Sequence, residues 1–198
     1  EVHPDTLLAQ RALEEEISEI NNTGRPSHPG LCHFYVHLME MASLKSLVMR
    51  AIPHAAILRR QWPASGHLIH MASHIDVQVG SYAIGCASNV AGILQDEHVE
   101  EATAVGRCTD YHGYYLHNCH MLVYCAMFLG DFDMAMSNAI KVEEMTPDSH
   151  LVKFIDWLEP FIAVPWHVLI RFGHWDDILS RPLPTDTVKF AVTYATGL

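Results

Sequence analysis

Ten of the fifteen histidines in this chain stand where their spacing could do chemistry. Nine fall in three short clusters: His28, His33 and His37; His67, His70 and His74; and His112, His117 and His120. His167 is an isolated tenth. Imidazole is the commonest metal-ligating side chain near neutral pH. Spacings of three, four and seven residues put several ring nitrogens on one face of a helix. The chemistry these positions predict is metal coordination by imidazoles projecting from helices.

The clusters differ in strength. At 100° per residue, His67, His70 and His74 span about 60° of their helix, His33 and His37 about 40°, and His117 and His120 about 60°. Three imidazoles on one face of an apolar helix are costly to bury without partners. We therefore take His33, His37, His67, His70, His74, His117 and His120 as the ligand candidates. His28, Glu40, His112, Asn118 and His167 form a second tier. Glu40, one helical step beyond His37, could ligate, accept an imidazole N–H, or be a solvated helix residue. His28 directly precedes Pro29 and could serve only to start a helix. Tyr35, Tyr114 and Tyr115 could line a pocket, or simply pack. His3, His54, His98, His150 and His174 are expected to have no role.

Nitrogen-rich, carboxylate-poor surroundings select copper or zinc over magnesium or calcium. Seven histidines exceed the four ligands of one structural zinc, so two or three ions are expected. Di-iron bundles normally carry Glu-x-x-His pairs, which these clusters lack. Copper is favoured, with zinc the alternative. Redox or oxygen chemistry on a small substrate is the expected activity. The rivals are a protein-interaction scaffold and a copper or zinc store or chaperone.

Helical periodicity dominates the elements that would carry these rings. Helices are predicted near 5–20, 29–42, 45–60, 66–77, 81–95, 97–108, 113–128, 132–145, 149–158, 160–171, 174–180 and 186–197. Pro165 should kink or split its helix. A degenerate pattern, apolar-Gly-x-aromatic, appears at Val79-Gly80-Ser81-Tyr82, Leu129-Gly130-Asp131-Phe132 and Phe172-Gly173-His174-Trp175. The glycine suits a tight turn between antiparallel helices. Counted back from Gly80, Gly130 and Gly173, the histidines recur at −13, −10 and −6. With Ser43 as the first anchor, His33 takes −10 and His37 takes −6, the places of His70 and His74. The glycines lie about 50 and then about 43 residues apart, compatible with a tetratricopeptide repeat of roughly 34 residues carrying insertions.

The blocks HPGLCHFYVHLME, GHLIHMASHI, YYLHNCH and RFGHWDDIL, across roughly residues 26–180, resemble a family of tetratricopeptide-repeat proteins with HPG-x-x-H-x-Y-x-H-x-x-E, GH-x-x-HM-x-SHI and HN-x-H motifs. The resemblance implies an all-α helical-hairpin repeat solenoid with a shared histidine constellation. It implies no particular reaction. On this reading residues 1–198 are one tetratricopeptide-like domain, part of a longer array. Stacked repeats would let histidines from neighbouring first helices converge across a groove that could also take a protein partner.

The remaining composition narrows the function classes. A formal net charge of −11 disfavours nucleic-acid phosphates and anionic membranes. No apolar run is long enough for a transmembrane helix. The first residues lack the basic and apolar regions of a signal peptide, and the compartment stays open. Five cysteines, dispersed and odd in number, are expected to be buried thiols, not a disulfide framework.

Overall fold

Three glycines bend the chain in the same way. Gly80, Gly130 and Gly173 have φ of 83°, 84° and 72°, a left-handed conformation that side chains with a Cβ adopt at a cost. After each, the next amide reaches back five residues: Ser81 N to Asp76 O (2.7 Å), Asp131 N to Ala126 O (3.0 Å) and His174 N to Leu169 O (2.9 Å). These are Schellman closures, which satisfy carbonyls that the ending helix leaves open. In all three the aromatic residue of the pattern then begins the following helix.

The computed structural model describes residues 3–103, 110–146 and 158–182. Its helices are α1 (Pro4–Thr23), α2 (Pro29–Glu40), α3 (Lys45–Val48), α4 (Ile52–Gln61), α5 (Gly66–His70), α6 (Ala72–Val79), α7 (Tyr82–Thr103), α8 (Asp110–Leu129), α9 (Phe132–Met145), α10 (Val164–Phe172) and α11 (Trp175–Ser180). A 3-10 turn joins α3 to α4, and residues 158–162 are also helical. No strand occurs among the described residues. The fold is all-α, as expected. The chain divides into two compact units, Glu1–Asp96 and Glu97–Leu198.

Several boundaries depart from the periodicity. The single helix expected over 45–60 is three pieces, because Pro53 has no N–H to continue a ladder and sits in the first turn of α4. The two helices expected over 81–95 and 97–108 are one helix as far as Thr103, with no proline within it to interrupt it. Pro165 splits its helix as anticipated: Ala163 separates helical residues 158–162 from α10, and the proline lies in the first turn of α10. The helix expected over 186–197 and nearly all of that over 149–158 lie outside the described residues, as do Cys108 and His150. Cys32, Cys86, Cys119 and Cys125 are buried and unbridged.

The first unit is built on α2, α4 and α6. Cys32, Tyr35, Val36 and Met39 of α2 pack with Ala55 and Leu58 of α4, and with Met71, Ala72 and Ile75 around α6. Each set recurs at three- or four-residue steps, so each helix turns one apolar stripe inward. Met71 separates α5 from α6, but its φ of −52° and ψ of −28° remain helical, which keeps the histidines on either side in one register. In the second unit α9 packs against both α8 and α10, and Arg181 reaches back to pair with Glu143 while covering the Trp166 ring at 4.6 Å.

Candidate metal centre

The core stripe of α2 decides where its polar residues go. Cys32, Val36 and Met39 face the core, and the residues one step later, His33, His37 and Glu40, lie about 100° around the helix. The α5–α6 segment repeats the arrangement. Ile69 and Met71 are buried in the interior, while His67, His70 and His74 form the neighbouring stripe. Because α2 packs on α6, the two histidine stripes are brought against each other.

The result is a closed circuit of five imidazoles. Ring centroids are 4.7 Å apart for His33 and His37, 5.2 Å for His37 and His74, and 4.8 Å for His74 and His70. The circuit closes through His70 and His67 at 5.6 Å and His67 and His33 at 5.1 Å. Two sides of it bring Nε2 atoms face to face. His33 Nε2 lies 3.0 Å from His67 Nε2, and His70 Nε2 lies 3.0 Å from His74 Nε2. His70 is fully buried, whereas the His37 side chain keeps 39% of its exposure. The circuit is therefore sealed at one end and open to solvent at the other.

Glu40 ties two of the rings together. One carboxylate oxygen meets His37 Nδ1 at 2.6 Å and the other meets His74 Nδ1. Burial alone would push this carboxyl up, but the hydrogen bonds and charges of His37 and His74 hold it at about 2, so it is anionic. An anionic carboxylate only accepts, so both Nδ1 atoms carry their protons toward it. Burial, together with the neighbouring His37 and His74, lowers the pKa of His33 and favours its neutral form.

His70 is oriented by a residue that no sequence pattern pointed to. Asn89 Nδ2 donates to Gly85 O at 2.8 Å, which turns its Oδ1 toward His70 Nδ1 at 2.7 Å. His70 therefore carries its proton on Nδ1, as His74 does. When both rings are neutral, each presents an Nε2 lone pair to the other across 3.0 Å. Asn89 reaches this position because α7 passes α5 at two glycines. A Cβ on Gly66 would come within 2.6 Å of Gly92 O, and one on Gly92 within 2.8 Å of Gly66 O and 3.6 Å of the His70 Cβ. Asn89 lies one turn before Gly92 on α7. The small residues at the crossing were the available signal, and neither belongs to the apolar-Gly-x-aromatic pattern.

The other predicted residues have different tasks. His28 caps α2, its Nδ1 accepting from Gly30 N at 3.1 Å, and takes no part in the ring contacts. His112 is buried with Nε2 on Met145 O (3.0 Å) and Nδ1 near Glu100 (3.3 Å), so both ring nitrogens already serve protein groups. Tyr35 is not pocket lining. It stands on the opposite side of α2 from His33 and His37, donates to Glu14 at 3.1 Å and packs on His54. Tyr115 is likewise buried, donating to Glu97 at 2.9 Å, and Tyr114 is half exposed. In the second unit His117 and Asn118 are carried by α8, Asn118 fully buried. His120 packs edge-on against Phe161, and burial, with His167 beside it, lowers its pKa to about 4. Burial also lowers His167. α2 ends at Glu40 with its C-cap, Met41, in a right-handed conformation, and the helix crossing sets His33 against His67.

No protein-family model, curated protein or solved structure matches the chain. No described helix is long and apolar enough to cross a membrane.

Proposed function

We propose that the first unit holds a transition-metal centre within the imidazole circuit. The observation that carries this reading is the His70–His74 contact. Both Nδ1 atoms are committed to acceptors, Asn89 and Glu40, and both Nε2 atoms converge at 3.0 Å. Metal-bound histidines are typically held in this way, the distal N–H fixed by an amide or carboxylate while the other nitrogen faces the ion. For Nε2 donors about 2.05 Å from an ion, a 3.0 Å separation subtends roughly 95°. Two imidazole nitrogens so placed suit a nitrogen-preferring ion, copper or zinc, and copper is the reading adopted. His37, His74 and Glu40 also place one donor atom each within 4.8 Å of one another.

Copper would supply redox chemistry at this position, and the open side at His37 would admit a small substrate. This chain's own residues bind the ion, orient the rings and exclude water on the His70 side. The three matching glycine turns support a tetratricopeptide-like hairpin repeat as the scaffold.

Elemental analysis of the untagged protein tests the reading. Copper should co-purify, or bind on addition, in the wild type and in His54→Ala, and its content should fall in His70→Ala. Equal metal content in the two variants overturns the assignment. Oxidation of a small substrate that stops on chelation would separate an enzyme from a metal store, and peptide binding that survives chelation would indicate a scaffold.

A further inference from the structure

The circuit contains two facing Nε2 contacts of equal length. Resting on the metal-centre reading, we propose that a second ion is held by His33 and His67, so that the first unit carries a dinuclear site with one ion per Nε2 pair. His33 Nε2 and His67 Nε2 offer the same 3.0 Å bite as His70 and His74. The two pairs share no ring and are joined through the His67–His70 stack, whose centroids are 5.6 Å apart, so each pair takes its own ion. The donors come from both stripes: one pair joins α2 to α5, and the other lies within α5–α6.

Charge and access agree with this division. Two cations so close repel, and the anionic Glu40 carboxylate is the countercharge, held by His37 and His74 beside both pairs. His37 contacts a ring of each pair, His33 at 4.7 Å and His74 at 5.2 Å, and is more exposed than His70 or His74. The exposed edge of the site is therefore shared by the two ions, which suits a small bridging ligand over a large one. At His70 and His74, whose N–H groups are on Nδ1, binding at Nε2 displaces no proton, so that ion adds its full charge to the site.

Cupric ion added to the metal-free full-length chain is the probe. The readouts are metal content after desalting and the electron paramagnetic resonance spectrum. The wild type should bind one ion more than either His33→Ala or His67→Ala, and should display the broadened and half-field signals of two cupric ions in close proximity. Each of these two variants should keep the His70–His74 ion with an ordinary isolated spectrum, and helix content by circular dichroism should match the wild type. His70→Ala should also lose one ion and the coupling. A wild type without coupled signals, or a His33→Ala variant that retains them, overturns the second ion. Loss of all copper on any single replacement means one shared ion and also overturns it, while leaving the metal centre standing. A wild type that binds no copper overturns the centre itself.

Discussion

His67 and His70 are three residues apart on α5, and His117 and His120 are three residues apart on α8. In the first unit the rings join three others, share the Glu40 carboxylate and turn Nε2 atoms toward each other. In the second, His120 is packed against Phe161, and His112 spends both nitrogens on Met145 O and Glu100. Residue type and spacing are the same, and the neighbours differ. A histidine becomes a ligand candidate when a second helix fixes the proton on one nitrogen and leaves the other aimed at further donors. It becomes a structural group when both nitrogens are consumed, or when an apolar wall keeps it neutral.

The largest contrast should come from matched alanine substitutions. His70→Ala is expected to lose the ion held with His74, whereas His112→Ala should leave the first unit's copper unchanged and lower stability by about 3 kcal/mol, since a buried carbonyl partner and packing are lost together. Denaturant melts and metal analysis of both proteins measure this. If His112→Ala also lost copper, the division between the two units would fail.

Acid should act on the second unit through His120. Its folded pKa, about 4, lies below the ordinary value of 6.5, so the unfolded chain takes up the proton first. Its contribution is full above pH 6.5 and is lost as pH falls from about 6.5 to 4, amounting to about 3 kcal/mol. His120→Phe should flatten that part of the stability profile. An unchanged acid limb would show that His120 is accessible to protons in the folded state.

Glu40 and Glu100 sharpen the comparison at smaller scale. Glu40→Gln should weaken copper binding by roughly 10- to 100-fold, the usual cost of removing a carboxylate that orients metal-bound imidazoles. Glu100→Gln should leave it unchanged. Equal affinities, read by competition with a chelator, would remove Glu40 from the site.

The smallest effect tests where the two units are alike. A Cβ on Gly80 or Gly130 meets no neighbouring atom, so alanine there costs only the left-handed backbone. Each substitution should destabilise by about 1 kcal/mol. A much larger loss at one of them would mean that its turn also bears on packing.

The helical class, the three glycine turns and the histidine faces were legible in the chain, because a 100° rotation per residue and a left-handed glycine are local properties. They required only nearby residues such as His67, His70 and His74, or Gly80 with Ser81 and Tyr82. Tertiary structure alone decided that His33 meets His67 and not His70, that Glu40 serves two rings, and that Asn89 sets the proton of His70. The direction of a ring nitrogen depends on acceptors brought by other helices, and the Gly66–Gly92 crossing that delivers Asn89 joins residues far apart in sequence. Spacing along one helix places a side chain on a face. Only the packing of a second helix determines which of its atoms is left to do chemistry.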